Sequence, residues 1–452
     1  MRFTLRPLIC LVFLLSSAVA CSTISEQALS RPAPGPSVGS IVFPTSGAPE
    51  AQAHFLRGVA ILHSFGYDEA RREFRKAQEL DPDFALAYWG ESFCFNHLLQ
   101  PERDLDSPRA VLQRLGATLA ERLAKAPTER EKGFLLAAHA LWMIPEDEGT
   151  RRIRHLEAME ELHRAYPNDP EVTTFYALAL LTAIGPLGED TYRLSMQAGA
   201  LALDVLATNP EHPGAAHYAI HAFDDPVHAA LGLPAARRFA RIAPAVSHAL
   251  HMPPHIFIQL GMWAEALQSN KAAYEAAARA WKPGGRVLDM LHAVDWGHYA
   301  SLQIGDDAAA RSWREIAERL VTDSGDSAPA ERTLALIRAR DVVELGISEV
   351  QPLADGDTSE PWLLATGLAA LAAGRIDVAE AARARLADVA RRPAQVSSAT
   401  FSRGTRPLEI AQLELSAGIQ LARGESAAAL GELERAVRLA EAMGAPRGQR
   451  CR

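Results

Sequence analysis

The chain has 452 residues, 48% hydrophobic and 22% charged, with a net charge of −9 when its 15 histidines are counted neutral. Length and apolar content suffice for a large buried core. The negative charge and the lack of a basic stripe speak against nucleic acid as a partner, and four cysteines are too few for a disulfide framework.

The N-terminus reads as a targeting segment over residues 1–20. Arg2 and Arg6 give a positive start, and Leu8–Leu15 is an apolar run too short to span a bilayer. The stretch Ala18-Val19-Ala20-Cys21 resembles the bacterial lipobox, which implies a lipidated Cys21 as the first mature residue. Ala18 departs from the pattern, where Leu is commoner. The same residues also fit ordinary signal cleavage and a secreted soluble product. With Ser22 rather than Asp next, the resemblance implies an outer-membrane lipoprotein facing the periplasm, attached to the membrane through its lipid. Residues 21–50, rich in Ser, Pro and Gly, read as a flexible linker. Processing leaves Cys94 and Cys451 as free thiols.

From Ala51 onward the pattern is helical and repetitive. Gly58, Ala70, Phe74, Ala77 and Pro82 stand where paired helices need small, bulky and terminating residues, around the turn Phe65-Gly66-Tyr67-Asp68-Glu69-Ala70. This stretch resembles a tetratricopeptide repeat. Comparable turns recur at Gly261, Gly305, Gly374 and Gly424, each glycine suited to a left-handed helix end. Residues 85–250 keep the helix-pair character with looser spacing. The expected fold is all-α, a right-handed α-solenoid of stacked helix-turn-helix units over residues 51–446, followed by a disordered tail at 447–452. The helix Leu430–Met443 reads either as a closing cap or as part of a truncated repeat.

Nine of the 15 histidines fall between His212 and His298, where even spacing would put roughly three. His217 and His221 stand four apart on one helix face, so two neutral imidazoles can chelate one ion, with Asp224 as a further candidate. His251 and His255 are also four apart, but Pro253-Pro254 is expected to break the helix between them. His255 falls in a first helical turn, where the helix dipole disfavours protonation. Such imidazole-rich sets suit zinc, copper, iron or nickel. Three ligands with an open position would make a catalytic site, and four a structural one.

The stretch Asn209–His221, with His248–His255, Leu291–Asp295 and Ala87–Gly90 with Asn96-His97, resembles a recurrent pattern of bacterial tetratricopeptide-like proteins of uncharacterised function. In such stacks the first helices line a concave groove. The resemblance thereby gives His248, His292, Asp295 and His298 a common address, and adds Glu91 and His97. The plainer reading is that these histidines only hydrogen-bond across the groove and that Asp224 and Asp225 only cap a helix. Haem, phosphate-loop, serine-hydrolase and His-Glu-x-x-His motifs are absent. Two functions stay open: a membrane-anchored extracytoplasmic scaffold that binds a protein or peptide in its groove, or a metal-binding protein or metal-dependent enzyme using the histidine cluster.

Overall fold

The computed structural model describes residues 37–189, 191–282, 287–324, 327–347, 353, 360–391 and 406–442. The expected signal segment, Cys21 and the tail at 447–452 lie outside them. The described residues form helices and turns without strands, and no helix among them is long and apolar enough to cross a membrane. The fold is an all-α stack of consecutive helix pairs, each helix packing on the next.

Local chemistry sets the helix ends. Thr118 and Thr128 each form a capping box, and Asp147, Asp169 and Asp306 accept backbone N–H bonds at the starts of their helices. Gly261, Gly305, Gly374 and Gly424 all adopt φ between 71° and 81°, as the repeated turns require. In the first turn the left-handed residue is Phe65, with φ 55°, a rare state for a bulky side chain.

The stack turns back on itself. The helix Pro49–His63 contacts Ala85–Ser92 and also Pro213–Ala222, far along the chain, and the latter also contacts Pro170–Ala183. These inner helices meet through buried aromatic side chains: Trp89 lies 4.9 Å from Phe175 and 5.1 Å from Phe134 between ring centroids. Burial of such rings supplies the main cohesion. Gly214 permits the close approach, since a Cβ there would sit 2.4 Å from His63 Nδ1.

Residues 37–48, expected to belong to the flexible linker, are instead laid down as an extended strap. Ser40 N–H donates to the Glu211 carbonyl (2.9 Å), and Asn209 Nδ2 donates to the Ser40 carbonyl (2.8 Å). Ser46 donates twice to Glu131, and Ala48 N–H to Asp81. Phe43 is buried among Phe55, Trp89 and Phe134, with the Arg130 guanidinium over its ring. Polar composition signals flexibility only where no partner awaits each backbone group, and here the partners exist.

Candidate histidine metal centre

Four elements bring the histidines together. His217 and His221 lie on Pro213–Ala222, His248 and His251 on Ser247–His251, His255 on Pro253–Gln259 and His292 on Leu288–Ile304. The expected break at Pro253-Pro254 does not separate its pair. Met252 stays in the right-handed helical region, with φ −60° and ψ −36°, so the turn continues although a proline N–H is missing. His251 Nε2 and His255 Nε2 are consequently 3.1 Å apart.

The side chains fall into two triads: His217, His221 and His248, and His251, His255 and His292. Within each, one nitrogen per ring lies within 4.8 Å of the others. His217 Nε2 faces His221 Nε2 at 3.0 Å and His248 Nε2 at 3.2 Å. His217, His251 and His255 are buried, while His221, His248 and His292 are partly exposed. Aromatic rings wall the cluster: Phe239 stacks on His217, Trp296 packs on His251 and His255, and the left-handed Phe65 places its ring 4.4 Å from His217.

Hydrogen bonds fix which nitrogens are free. His217 Nδ1–H donates to the His63 carbonyl at 2.6 Å, leaving Nε2 as an acceptor. Asn270 Nδ2 donates to the Ala266 carbonyl, which turns its Oδ1 toward His251 Nδ1 (3.0 Å) and makes that nitrogen the donor. His255 Nδ1–H donates to Asp224 Oδ2 at 2.8 Å. With both rings neutral, two Nε2 lone pairs face each other across 3.1 Å in a buried site. Only a cation relieves this. A proton satisfies one pair, whereas a metal ion satisfies all three nitrogens of a triad.

Burial favours the neutral, lone-pair-bearing ring at five of the six histidines. Burial, and then the neighbouring imidazoles, push His221, His248 and His251 well below the usual histidine range. Burial takes His217 down to about 3 and His292 to about 4. Backbone and carboxylate partners on the opposite ring nitrogen are the support that metal-bound histidines use. An ion about 2.0–2.1 Å from each nitrogen places tetrahedral neighbours about 3.3–3.4 Å apart, so the pairs at 3.0–3.2 Å need open by only a few tenths of an ångström.

Other expected residues take different places. Asp224 lies beyond the helix end at Ala222, where it orients His255 and accepts from Gln259 instead of joining His217 and His221. Asp225 accepts from the Val227 and His228 backbone, as a cap does. Glu91 is buried away from the cluster, held by Arg75, Gln78 and Arg114. His298 is buried against Asp341, which Arg314 neutralises, and Asp295 pairs with Arg340. His97 follows its helix rather than lying on it. Its ring is 6.2 Å from His248, its buried Nδ1 has no hydrogen-bond partner among the described residues, and burial lowers it to about 4.

Sequence reading offers His292 as a further metal ligand but places His248 only in the groove, although His248 stands three residues before His251 and shares its helix. Nor did it find Asn270, Phe65 or the carbonyl of His63. A third group, His63, Glu171 and His212, is fully buried. Three of its four ring nitrogens are already committed. Tyr218 Oη–H donates to His63 Nδ1, His63 Nε2–H donates to Glu171, and the Ala215 N–H donates to His212 Nδ1, so His212 Nε2 carries the proton that faces Glu171 at 3.2 Å. Most of this network is held by hydrogen bonds, but Glu171 Oε1 and His212 Nε2 face each other without forming one.

No protein family and no curated protein matches the chain. Among solved structures it is similar to yeast Tom70, at 10% identity and a TM-score of 0.41 over 86% of this chain and 85% of that one. It is also similar to a Rap protein complexed with competence and sporulation factor, at 13% identity and a TM-score of 0.38 over 87% and 99%. Cut9, from an anaphase-promoting complex assembly with Hcn1, gives 14% identity and a TM-score of 0.33 over 88% and 78%. Likeness at this level carries no functional argument.

Proposed function

We propose that this helical-repeat protein binds first-row transition-metal ions through its two histidine triads. The observation that carries the reading is the pair His251 Nε2 and His255 Nε2, 3.1 Å apart, with both Nδ1 atoms already engaged by Asn270 and Asp224. The ligands come from helices whose packing is set by the repeat stack, so the site is preorganised. Each triad leaves a coordination position toward its partly exposed members, where an outside ligand can bind. Placement in the cell envelope through a lipidated Cys21 remains part of the proposal and is checked by mass spectrometry of the mature N-terminus. A protein or peptide partner rests on the repeat architecture alone.

Calorimetric titration of the metal-stripped full chain with zinc, copper, nickel and iron(II) tests the reading. Saturable tight binding of at least one of them, lost in the double variant His251→Ala with His217→Ala, is expected. Weak, non-saturating heats for every metal would contradict it.

A further inference from the structure

The two triads are not separate sites. Across the boundary, the rings of His221 and His255 are 5.9 Å apart and those of His248 and His251 are 6.2 Å apart. Within the triads five of the six ring pairs are separated by 4.2 Å (His251–His292) to 6.0 Å (His255–His292). All six rings therefore form one continuous body.

The ligand set is also unusual in its charge. Among the described residues every candidate ligand is an imidazole, and the carboxylate hydrogen-bonded to the cluster, Asp224, touches a ring Nδ1 rather than the ligand side. Asp295, on the helix of His292, is committed to Arg340. Two adjacent divalent ions repel about four times more strongly than two monovalent ones at the same distance. A carboxylate-free pair site thus favours ions that are stable as monocations, or a bridging anion that supplies the missing charge. Among metals suited to imidazole, copper meets this condition, since copper(I) is a monocation and copper(II) heads the affinity series for nitrogen ligands.

Resting on the metal reading above, we infer that the six histidines form one dinuclear copper centre whose reduced form reacts with dioxygen. In that step each copper(I) gives one electron, so two copper(II) ions and one peroxide dianion result. The total charge is unchanged, no proton is consumed, and peroxide supplies the two negative charges that the protein does not. His221, His248 and His292, partly exposed, lie on the side from which dioxygen reaches the ions. The buried His217, His251 and His255 hold the floor.

The test is anaerobic loading of the metal-stripped full chain with copper(I) against a copper(I) chelator, followed by air. Expected are about two coppers per chain, about one dioxygen consumed per pair, and no copper(II) electron-paramagnetic signal, because adjacent copper(II) spins cancel. The variant His221→Gln with His248→Gln leaves one triad and is expected to bind about one copper, which gives a full copper(II) signal on oxidation. His292→Gln serves the same purpose from the other side if the first variant loses its helical circular dichroism. A full signal from the wild-type chain, a single bound copper or no dioxygen uptake overturns the inference. If zinc or another ion still binds tightly, the metal reading survives that failure; if nothing binds, both fall.

Discussion

The His63 carbonyl and His217 Nδ1 lie 2.6 Å apart, joining the C-terminal end of the first helix to the middle of a helix more than 150 residues away. The bond comes from the backbone of His63, while the His63 side chain serves the separate network with Glu171 and Tyr218. These two roles can be separated. His63→Ala keeps the carbonyl, so metal affinity at the triad of His217 is expected to change by no more than a few-fold. Stability is expected to fall by about 3–5 kcal/mol, because a buried carboxylate loses a partner. Denaturant unfolding and metal titration on the same variant check both halves.

Asp224 is a positioning residue for His255. Asp224→Asn is expected to weaken metal binding at the triad of His251, His255 and His292 by about 10–100-fold. The triad of His217 is expected to be unaffected. Competition against a chelator of known affinity reads the difference.

The strap at residues 37–48 makes the fold depend on residues that a repeat-based boundary would discard. Phe43→Ala is expected to cost about 3–5 kcal/mol. A chain starting at residue 51 is expected to be destabilised at least as much, with a lower thermal midpoint than one starting at residue 37. Gly39, at φ 90° and with a Cβ position 2.8 Å from the Glu211 carbonyl, is expected to tolerate no larger residue without loosening the strap.

Acid is expected to destabilise the protein in two stages. Burial acts to raise Glu171, but His212 and His63 outweigh it and bring its pKa down to about 2 from 4.5. Its stabilising contribution is complete above pH 4.5 and is lost as pH falls toward 2. Burial lowers His155 from 6.5 to about 4 against the weaker pull of the Ala137 carbonyl, so its contribution is complete above 6.5 and is lost as pH falls toward 4. Stability is therefore expected to rise with pH from about 2 to 6.5 and then to level. Thermal midpoints measured with a chelator present follow the curve, and Glu171→Gln is expected to flatten only its lower stage.

Much of the architecture was legible because helix periodicity and turn glycines are local signals. Gly261, Gly305, Gly374 and Gly424 each cap as read. The pair His217 and His221 was legible for the same reason, since four residues make one turn. The strap was not: Ser, Pro and Gly suggest a linker, and the groups that bind it come from Asp81, Glu131, Asn209 and Glu211, far along the chain. Glu91 was misplaced because its neutralisation by Arg114 is a tertiary pairing. The pair His251 and His255 was undervalued because two prolines signal a break. The helix does end there and a new one begins, but Met252 between them keeps helical angles, so the two rings still meet. That His248 and His292 complete the triads follows from how the helices stack, which spacing along the chain does not encode.

The most direct measurement is elemental analysis of the full chain purified without chelator, beside the variant carrying His217→Ala and His251→Ala. At least about one copper, zinc, nickel or iron per wild-type chain, falling to background in the variant, is the expected result. Less than about a tenth of an ion per wild-type chain, even after exposure to these metals, would show that the histidines hold the fold together and bind no metal.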